Sequence, residues 1–363
     1  RKALRVIVQN KYILVETRIS IYLRLDCINT LMSSLWNSVS IEEGECIVCL
    51  EDDKCLKLDS CNHKVCRACW SQYLKVSVSN RFDIKCCGQG CPFKITESVF
   101  RKLIVHSATA QDLHSSFQKF VSNIIQPVPN LVELFSSDRS NPSYYVKRLA
   151  AASTSDFYHY NCCSEEDNQW GCAYRDLQCI LSNYIHRGLV QAEIPSLVHI
   201  QVAMDALGHR APRKFLGSNQ TEAWIEPPDA ALILKDLFGI EGYQRDFEFE
   251  DSLQVEEVKQ QLWTHFLQHK TPVMFDDSVV AYNLVGIRET VDGQIQVLRF
   301  DPHTTENWTY QHFSNAVNSA SKGVGSTSES NQSCLKSVGW IPFEEVFASN
   351  YTKKWMMFFP HVK

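Results

Sequence analysis

The chain has 363 residues, 44% hydrophobic and 21% charged, with 36 basic against 41 acidic side chains for a net charge of -5. That balance excludes a broad nucleic-acid-binding surface, and no uncharged apolar run approaches the roughly 18 residues of a membrane span. The length suits two or three domains. Of 15 cysteines, nine lie between Cys46 and Cys91, many at metal-ligand spacing. A reducing, cytoplasmic compartment with bound metal fits this better than a secreted disulfide framework. The chain begins at Arg1, which leaves a preceding segment open.

Residues 1–41 mix basic and apolar side chains and read as a helical lead-in, although the Val and Ile content leaves strand open. Residues 42–95 form the cysteine-rich unit. Residues 96–155 turn polar and mostly helical, with SSDRSNPS (136–143) as a loop, and read as a linker. From 156 to 363 helical and strand-like patterns alternate, as in an α+β domain. Within it, SASKGVGSTSESNQS (319–333) has the composition of a surface loop.

The cysteine-rich pattern is Cys46-x2-Cys49, Cys61-x-His63-x2-Cys66-x2-Cys69 and Cys86-x4-Cys91. Eight thiol or imidazole ligands supply two closed tetrahedral zinc sites and leave no open position for catalysis. A unit of this size buries too little apolar surface to fold alone, so zinc binding is expected to supply folding free energy. The segment from CIVCLEDDKC to CCGQGCP resembles a RING finger, and more narrowly the first RING of RING-between-RING ubiquitin ligases. The resemblance implies a cross-brace, with Cys46, Cys49, Cys66 and Cys69 on one ion and Cys61, His63, Cys86 and Cys91 on the other. It leaves Cys55 and Cys87 outside the pattern and puts Ile47 and Pro92 where such fingers meet a ubiquitin-conjugating enzyme. No later Cys/His cluster follows, so the catalytic second RING of that family is missing, and a docking module remains.

After Cys172 the apolar residues Tyr174, Leu177, Ile180, Leu181, Tyr184 and Ile185 keep helical spacing, which places Cys172 in a first helical turn. A helix N-terminus favours a thiolate, although a lone cysteine is more often a small core residue. Downstream, Asp292-Gly293 is a hairpin signal between NLVGIRE and QIQVLRF, so Asp301 and His303 stand just beyond a buried strand. Residues two apart in extended chain share a side, and Pro302 opposes helix, so the carboxylate and imidazole can be neighbours. On spacing alone such a pair is more often a capped turn than a dyad.

From about Tyr158 to Pro360 the chain resembles the cysteine proteases specific for the ubiquitin-fold modifier, a papain-like α+β family. The matching residues are WGCAYRDLQ (170–178), His159-Tyr160, Ile194 to Ser196 with Ile200 and Gln201, Gly217-Ser218, Trp224-Ile225, TPVMFDDSVVAYNLVGI before the catalytic box, and Asp301-Pro302-His303. The resemblance implies Cys172 as nucleophile, His303 as general base and acid, Asp301 as its orienting carboxylate and Tyr160 as oxyanion donor. No cofactor is implied for catalysis; zinc is confined to the RING-like unit. Trp170 reads as a channel wall or as core. The implied partners are the ubiquitin-fold modifier and its conjugates, in the cytoplasm or peripheral at the endoplasmic reticulum.

Three departures stand out. Asn168-Gln169 replace Ser-Gly, GSNQTEAWIE is stretched by three residues, and Asp276-Asp277 occupy a Gly-Gly position, where glycine suggests close approach or positive φ. Two alternatives follow: a deubiquitinating enzyme of the same superfamily, or a RING-type ligase or adaptor whose protease-like part only binds. The histidines His186, His199 and His265 read as surface or core residues.

Overall fold

The computed structural model describes residues 39–58, 61–80, 84–91, 93, 95, 99–100, 103, 125–137, 146–165, 167–197, 200–201, 204, 224–248, 252–321, 329–346 and 354–362. Nearly all of the expected lead-in, most of the linker, Pro92, His199, Gly217, Ser218 and residues 322–328 of the serine-rich loop lie outside the described residues.

The cysteine-rich unit is a three-stranded antiparallel sheet followed by a helix: β1 Val39–Glu45, β2 Asp52–Leu58, β3 Lys64–Cys66 and α1 Arg67–Asn80. Trp70 and Leu74 of α1 pack on Leu56, Leu58 and Val65 of the sheet, with Ile84 and Phe100 closing a small core. Cys55 faces Cys66 across the β2–β3 ladder, and its buried thiol donates to the Gly44 carbonyl at 3.3 Å.

The larger unit is built on a seven-stranded sheet in the order β5-β10-β6-β7-β8-β9, with β4 paired to β7. Its strands are β4 Val146–Ala151, β5 Gly242–Glu248, β6 Val273–Asp276, β7 Ala281–Thr290, β8 Ile295–Phe300, β9 Val338–Pro342 and β10 Lys354–Pro360. Between them run α2 Leu131–Ser136, α3 Cys172–His186, α4 Pro227–Phe238, α5 Ser252–Gln268, α6 Tyr310–Ser321, α7 Glu329–Ser337 and α8 Phe343–Val346.

Period-two alternation assigns the two faces of this sheet. Val273 and Phe275 of β6, with Trp355, Met357 and Phe359 of β10, join the core that holds Val258, Leu262 and Phe266 of α5. Met274 and Phe358, between them in sequence, join the core of α3 and α4 around Leu177, Ile180, Ile233 and Leu234. Ala281 belongs to the α3 core and Tyr282 and Leu284 to the other. The even side chains of β6, among them Asp276, and the first odd ones of β7, Ala281 and Asn283, therefore lie on the α3 side, whereas beyond the register shift between Leu284 and Gly286 Val285 and Ile287 join the other core.

TPVMFDDSVVAYNLVGI forms the antiparallel hairpin β6–β7, and β8, within QIQVLRF, leads into Asp301 as the turn signal implies. One expectation changes. Residues read as linker contribute Val128, Leu131, Val132, Phe135 and Ala150 to the core beneath the main sheet. Their apolar content is thinly spread among polar residues, so it carries no periodic signal. The β7–β8 turn forms at Asp292-Gly293, where Gly293 has φ +86 and donates its N–H to Thr290 at 3.0 Å.

Candidate active site

Cys172 opens α3, with Gly171 as N-cap. Apolar spacing seats the helix on β6 and β7, but the helix is buried almost all round: Arg175, Asp176, Gln178, Ser182 and Asn183 are at most 2% exposed. Those polar side chains need internal partners. Arg175 donates from Nε to Asp167 Oδ2 at 2.7 Å and from Nη2 to Asp167 Oδ1 at 3.0 Å, and further to Glu165, Gln178 and the Cys162 carbonyl. Asp167, itself fully buried, also accepts the Asn161 N–H at 2.8 Å, and its carbonyl accepts the N–H groups of Trp170 and Gly171. One buried ion pair thus ties the loop after Tyr160 to the helix that carries Cys172. Gly171 is required by space: a Cβ there would stand 2.1 Å from Asp167 Oδ2.

Tyr160 and His303 arrive from different parts of the chain and are held by backbone. The Tyr160 N–H donates to the Pro302 carbonyl at 3.1 Å. His159 Nδ1 lies 3.1 Å from the Tyr160 carbonyl and 3.2 Å from that of Thr304, so the ring carries its proton at Nδ1. Burial holds His159 down at about 4, which leaves it neutral and structural. At the end of β8, the Asp301 N–H is anchored to the Ser337 carbonyl at 2.8 Å.

These anchors bring the four expected catalytic positions together. His303 Nδ1 is 2.7 Å from Asp301 Oδ1, and the same oxygen accepts the His303 N–H at 3.1 Å. With Nδ1 engaged, Nε2 is the atom left for Cys172, whose sulfur is near enough to act on the charge of the ring. The Tyr160 ring stands edge-on to His303 at 5.3 Å, and its hydroxyl is near enough to Cys172 for the sulfur to act on its ionisation. Burial works against the His303 cation, but the Asp301 carboxylate and the Cys172 sulfur outweigh it and lift the imidazole to about 10. Arg299, 3.4 Å from Asp301 Oδ2, helps keep that carboxyl below its usual range despite burial. Burial and the adjacent Cys172 push the Tyr160 phenol far up, so it stays protonated and able to donate. A helix-terminal thiol facing an imidazole at the end of a sheet strand is the papain-like arrangement.

A narrow groove of about 80 Å³ runs from Cys172 between Trp170, Trp224, Glu226, Asp276 and Val279. Trp170 is 4% exposed, so it serves as core and wall at once. The two aspartates have separate roles. Asp277 Oδ1 accepts the N–H groups of Val279 and Val280 and closes the β6–β7 turn, whereas Asp276 faces the groove. Neither has positive φ; that falls on Ser278, at +70. His186 pairs with Asp156 at 2.9 Å, and His265 is buried against Thr271.

The cysteine-rich unit presents two groups able to hold a metal ion: Cys46, Cys49, Cys66 and Cys69, and Cys61, His63, Cys86 and Cys91. Within each, the ligand atoms lie within 4.8 Å of one another. Cys49 and Cys66 sulfurs are 3.9 Å apart and Cys61 and Cys86 sulfurs 3.6 Å, against about 3.8 Å for two thiolates on a tetrahedral zinc. The donors fit the ion. Cys55 and Cys87 join neither group.

Sequence reasoning missed Asp167, Glu165 and Asn283. Asn283 donates from Nδ2 to the carbonyl and carboxylate of Asp176, one helical turn after Cys172. No spacing rule links a loop acid or a strand amide to a helix they meet only in three dimensions.

Among known proteins, the chain is similar to "Ufm1-specific protease 2" of Homo sapiens, at 35% identity over 150 residues covering 41% of this chain and 31% of that protein. The protein of the same name from Gallus gallus is 36% identical over 153 residues, covering 42% and 32%. "Probable Ufm1-specific protease 2" of Drosophila melanogaster is 30% identical over 150 residues, covering 41% and 24%. The chain therefore spans about a third or less of the length of these relatives. A solved structure, "Crystal structure of UfSP from C.elegans", is similar with a TM-score of 0.47 and 22% identity over 65% of this chain and 38% of that one. The profile of Peptidase family C78 matches residues 146–335, more than half of the 363-residue chain and all four of the positions around Cys172, and the chain belongs to that family.

Proposed function

We propose that the chain is a thiol peptidase that hydrolyses the peptide or isopeptide bond after the C-terminal glycine of a ubiquitin-fold modifier of the Ufm1 type. The observation that carries this reading is the convergence of Cys172, His303, Asp301 and Tyr160. His303 takes the Cys172 proton, and the thiolate attacks the glycine carbonyl. The oxyanion forms where the Tyr160 hydroxyl and the Cys172 N–H, unpaired in the first helical turn, can both donate. His303 then protonates the leaving amine, the acyl group remains on Cys172 as a thioester, and His303 deprotonates the water that releases it. Asp301 fixes the tautomer and steadies the imidazolium throughout.

In the same reading two zinc ions are structural, one held by Cys46, Cys49, Cys66 and Cys69 and one by Cys61, His63, Cys86 and Cys91. They would supply folding free energy and no catalytic step. Ile47, 40% exposed beside the first ligand pair, is available to a ubiquitin-conjugating enzyme.

The test exposes the chain to two thiol-reactive probes, one built on Ufm1 and one on ubiquitin, with Cys172→Ala as control. An adduct with the Ufm1 probe alone, lost in the variant, is expected. An adduct with ubiquitin alone would move the assignment to a deubiquitinating enzyme, and none with either would leave the RING-like adaptor reading.

A further inference from the structure

The carboxylate that orients His303 has two oxygens, and only one of them serves the imidazole. Asp301 Oδ1 is the oxygen taken by the His303 ring and by its backbone N–H. Oδ2 lies 3.4 Å from Nη2 of Arg299, two residues earlier at the end of β8. Among the described residues, Arg299 and His303 are the only cations paired with Asp301. The last torsion of an aspartate is soft, so a carboxylate held at one oxygen can still turn; a second contact removes that freedom.

Arg299 is itself fixed. Its Nη2 donates to the Lys336 carbonyl at 2.9 Å, and its guanidinium carbon stands 5.5 Å from the centre of the Tyr282 ring. That ring is stacked on Phe275, and its hydroxyl donates to the Val346 carbonyl at 3.0 Å. Lys336 and Ser337 end α7, and the Ser337 carbonyl accepts the Asp301 N–H. A helix C-terminus carries partial negative charge, which by itself opposes a carboxylate beside it. Arg299 meets both. It faces Gly339 across the β8–β9 ladder, where α7 passes into β9 without a loop, and a Cβ on Gly339 would stand 2.6 Å from the Leu335 carbonyl oxygen. The other ionisable groups around Asp301 are His303, the protonated Asp176 of α3 and Tyr282 of β7, while Cys172 acts on it through His303 and the Lys336 side chain is exposed.

We propose that Arg299 is a positioning residue of the thiol site, bridging the C-terminus of α7 and Asp301 Oδ2 so that Oδ1 stays on His303 Nδ1 throughout the reaction. The inference rests on the peptidase reading above and deepens it, because the carboxylate that orients the base is then itself oriented. Arg299 does not line the groove beside Cys172, so it acts on turnover rather than on binding.

The test measures kcat and KM of the full chain from pH 4 to pH 8 on Ufm1 carrying a fluorogenic amide at its C-terminal glycine. Arg299→Met, which keeps an unbranched stem over Tyr282, is expected to lower kcat about tenfold at pH 7 with KM little changed. Without its counter-ion Asp301 takes up a proton more readily, so the deficit is expected to widen about twofold or more by pH 4. Arg299→Lys keeps the charge and is expected to restore the acid side. If Arg299→Met does not fold, Arg299→Gln, which keeps a donor and loses the charge, is read in the same way. A parent-like kcat in the uncharged variant, a deficit equal at every pH and in the lysine variant too, or a rise in KM that accounts for the loss overturns the proposal. A second readout needs no substrate. The His303 Nδ1 proton, assigned by its loss in Asp301→Asn, is expected far downfield in the proton NMR spectrum of the parent and Arg299→Lys, and broadened by exchange in the uncharged variant at pH 5. If the parent shows this resonance but hydrolyses nothing, the peptidase reading fails. If the resonance persists unchanged in the uncharged variant, the role of Arg299 fails whether or not the parent is active.

Discussion

Arg175 and Asp167, both fully buried, form a two-bond ion pair at 2.7 and 3.0 Å behind the catalytic helix. Every other donor of the guanidinium is also used, and Asp167 in turn holds Asn161, next to Tyr160, and the two residues before Cys172. The pair therefore sets the distance between oxyanion donor and nucleophile, though neither residue touches the reacting atoms. Arg175→Ala leaves a buried carboxylate uncompensated and is expected to cost about 3–5 kcal/mol of stability by denaturant unfolding. Arg175→Lys is expected to rescue it poorly, because one ammonium cannot reproduce the planar fork.

The Tyr160 phenol meets Cys172 and stays protonated. Tyr160→Phe keeps the ring against His303 and removes the donor alone. A fall of about 10²-fold in kcat with little change in KM is expected, since the hydroxyl acts on charge that develops only in the transition state. A matching rise in KM instead would mean the hydroxyl binds substrate rather than the oxyanion.

His303 is lifted from 6.5 to about 10 by Asp301 and Cys172 against the opposing effect of burial. Its protonated form is the partner of the Cys172 thiolate, so activity is expected to hold through neutral pH and decline only as pH rises towards 10. Asp301→Asn removes the larger of the two supports, and the alkaline limb of kcat/KM is expected to move to lower pH. An alkaline limb that stays in place would show that Asp301 does not set the imidazole's charge.

Chelation is expected to unfold residues 39–103 and leave the larger unit intact. The small core around Trp70 and Leu56 is separate from the two cores of the main sheet, and without ions its eight clustered ligands contribute nothing to folding. Metal analysis should return two zinc ions per chain. Limited proteolysis after chelation should cut between β1 and α1 while iodoacetamide labelling of Cys172 continues unchanged.

What the sequence made legible was local. The helix after Cys172, the Asp292-Gly293 turn and the ligand pairs at x2 spacing each rest on residues a few positions apart. The ion pair of Arg175 with Asp167, the bond from Tyr160 to Pro302 and the contact of Asn283 with Asp176 join segments between 8 and 142 residues apart. Apolar periodicity identifies one buried face of α3 and is silent on the rest: the helix is enclosed, and Arg175, Asp176 and Gln178 are its internal fastenings. Asp276 and Asp277 looked like one insult to a glycine loop, and only the pleat of β6 separates a groove carboxyl from a turn cap.

That pleat also explains Asp176. It faces Asn283 of β7, whose Nδ2 reaches Asp176 Oδ1 at 3.0 Å, while Asp176 Oδ2 and Asn283 Oδ1 are both buried acceptors without a donor. A proton on Asp176 supplies the missing donor. Burial and the facing Cys172, Asp301 and Asp276 favour that proton over the pull of His303, so the carboxyl is raised well above 3.8. A carboxyl that is neutral when folded and ionised when unfolded makes stability fall as pH rises above 3.8, because the folded state binds the extra proton. Asp176→Asn replaces the hydroxyl by an amide donor of similar shape and removes this dependence. The variant is expected to gain stability over the parent chain progressively from pH 5 to pH 8, read by denaturant midpoints. Asp176→Ala should instead lose roughly 1–3 kcal/mol by stranding Asn283. A variant Asp176→Asn that is uniformly less stable at every pH would show that Asp176 is ionised in the fold.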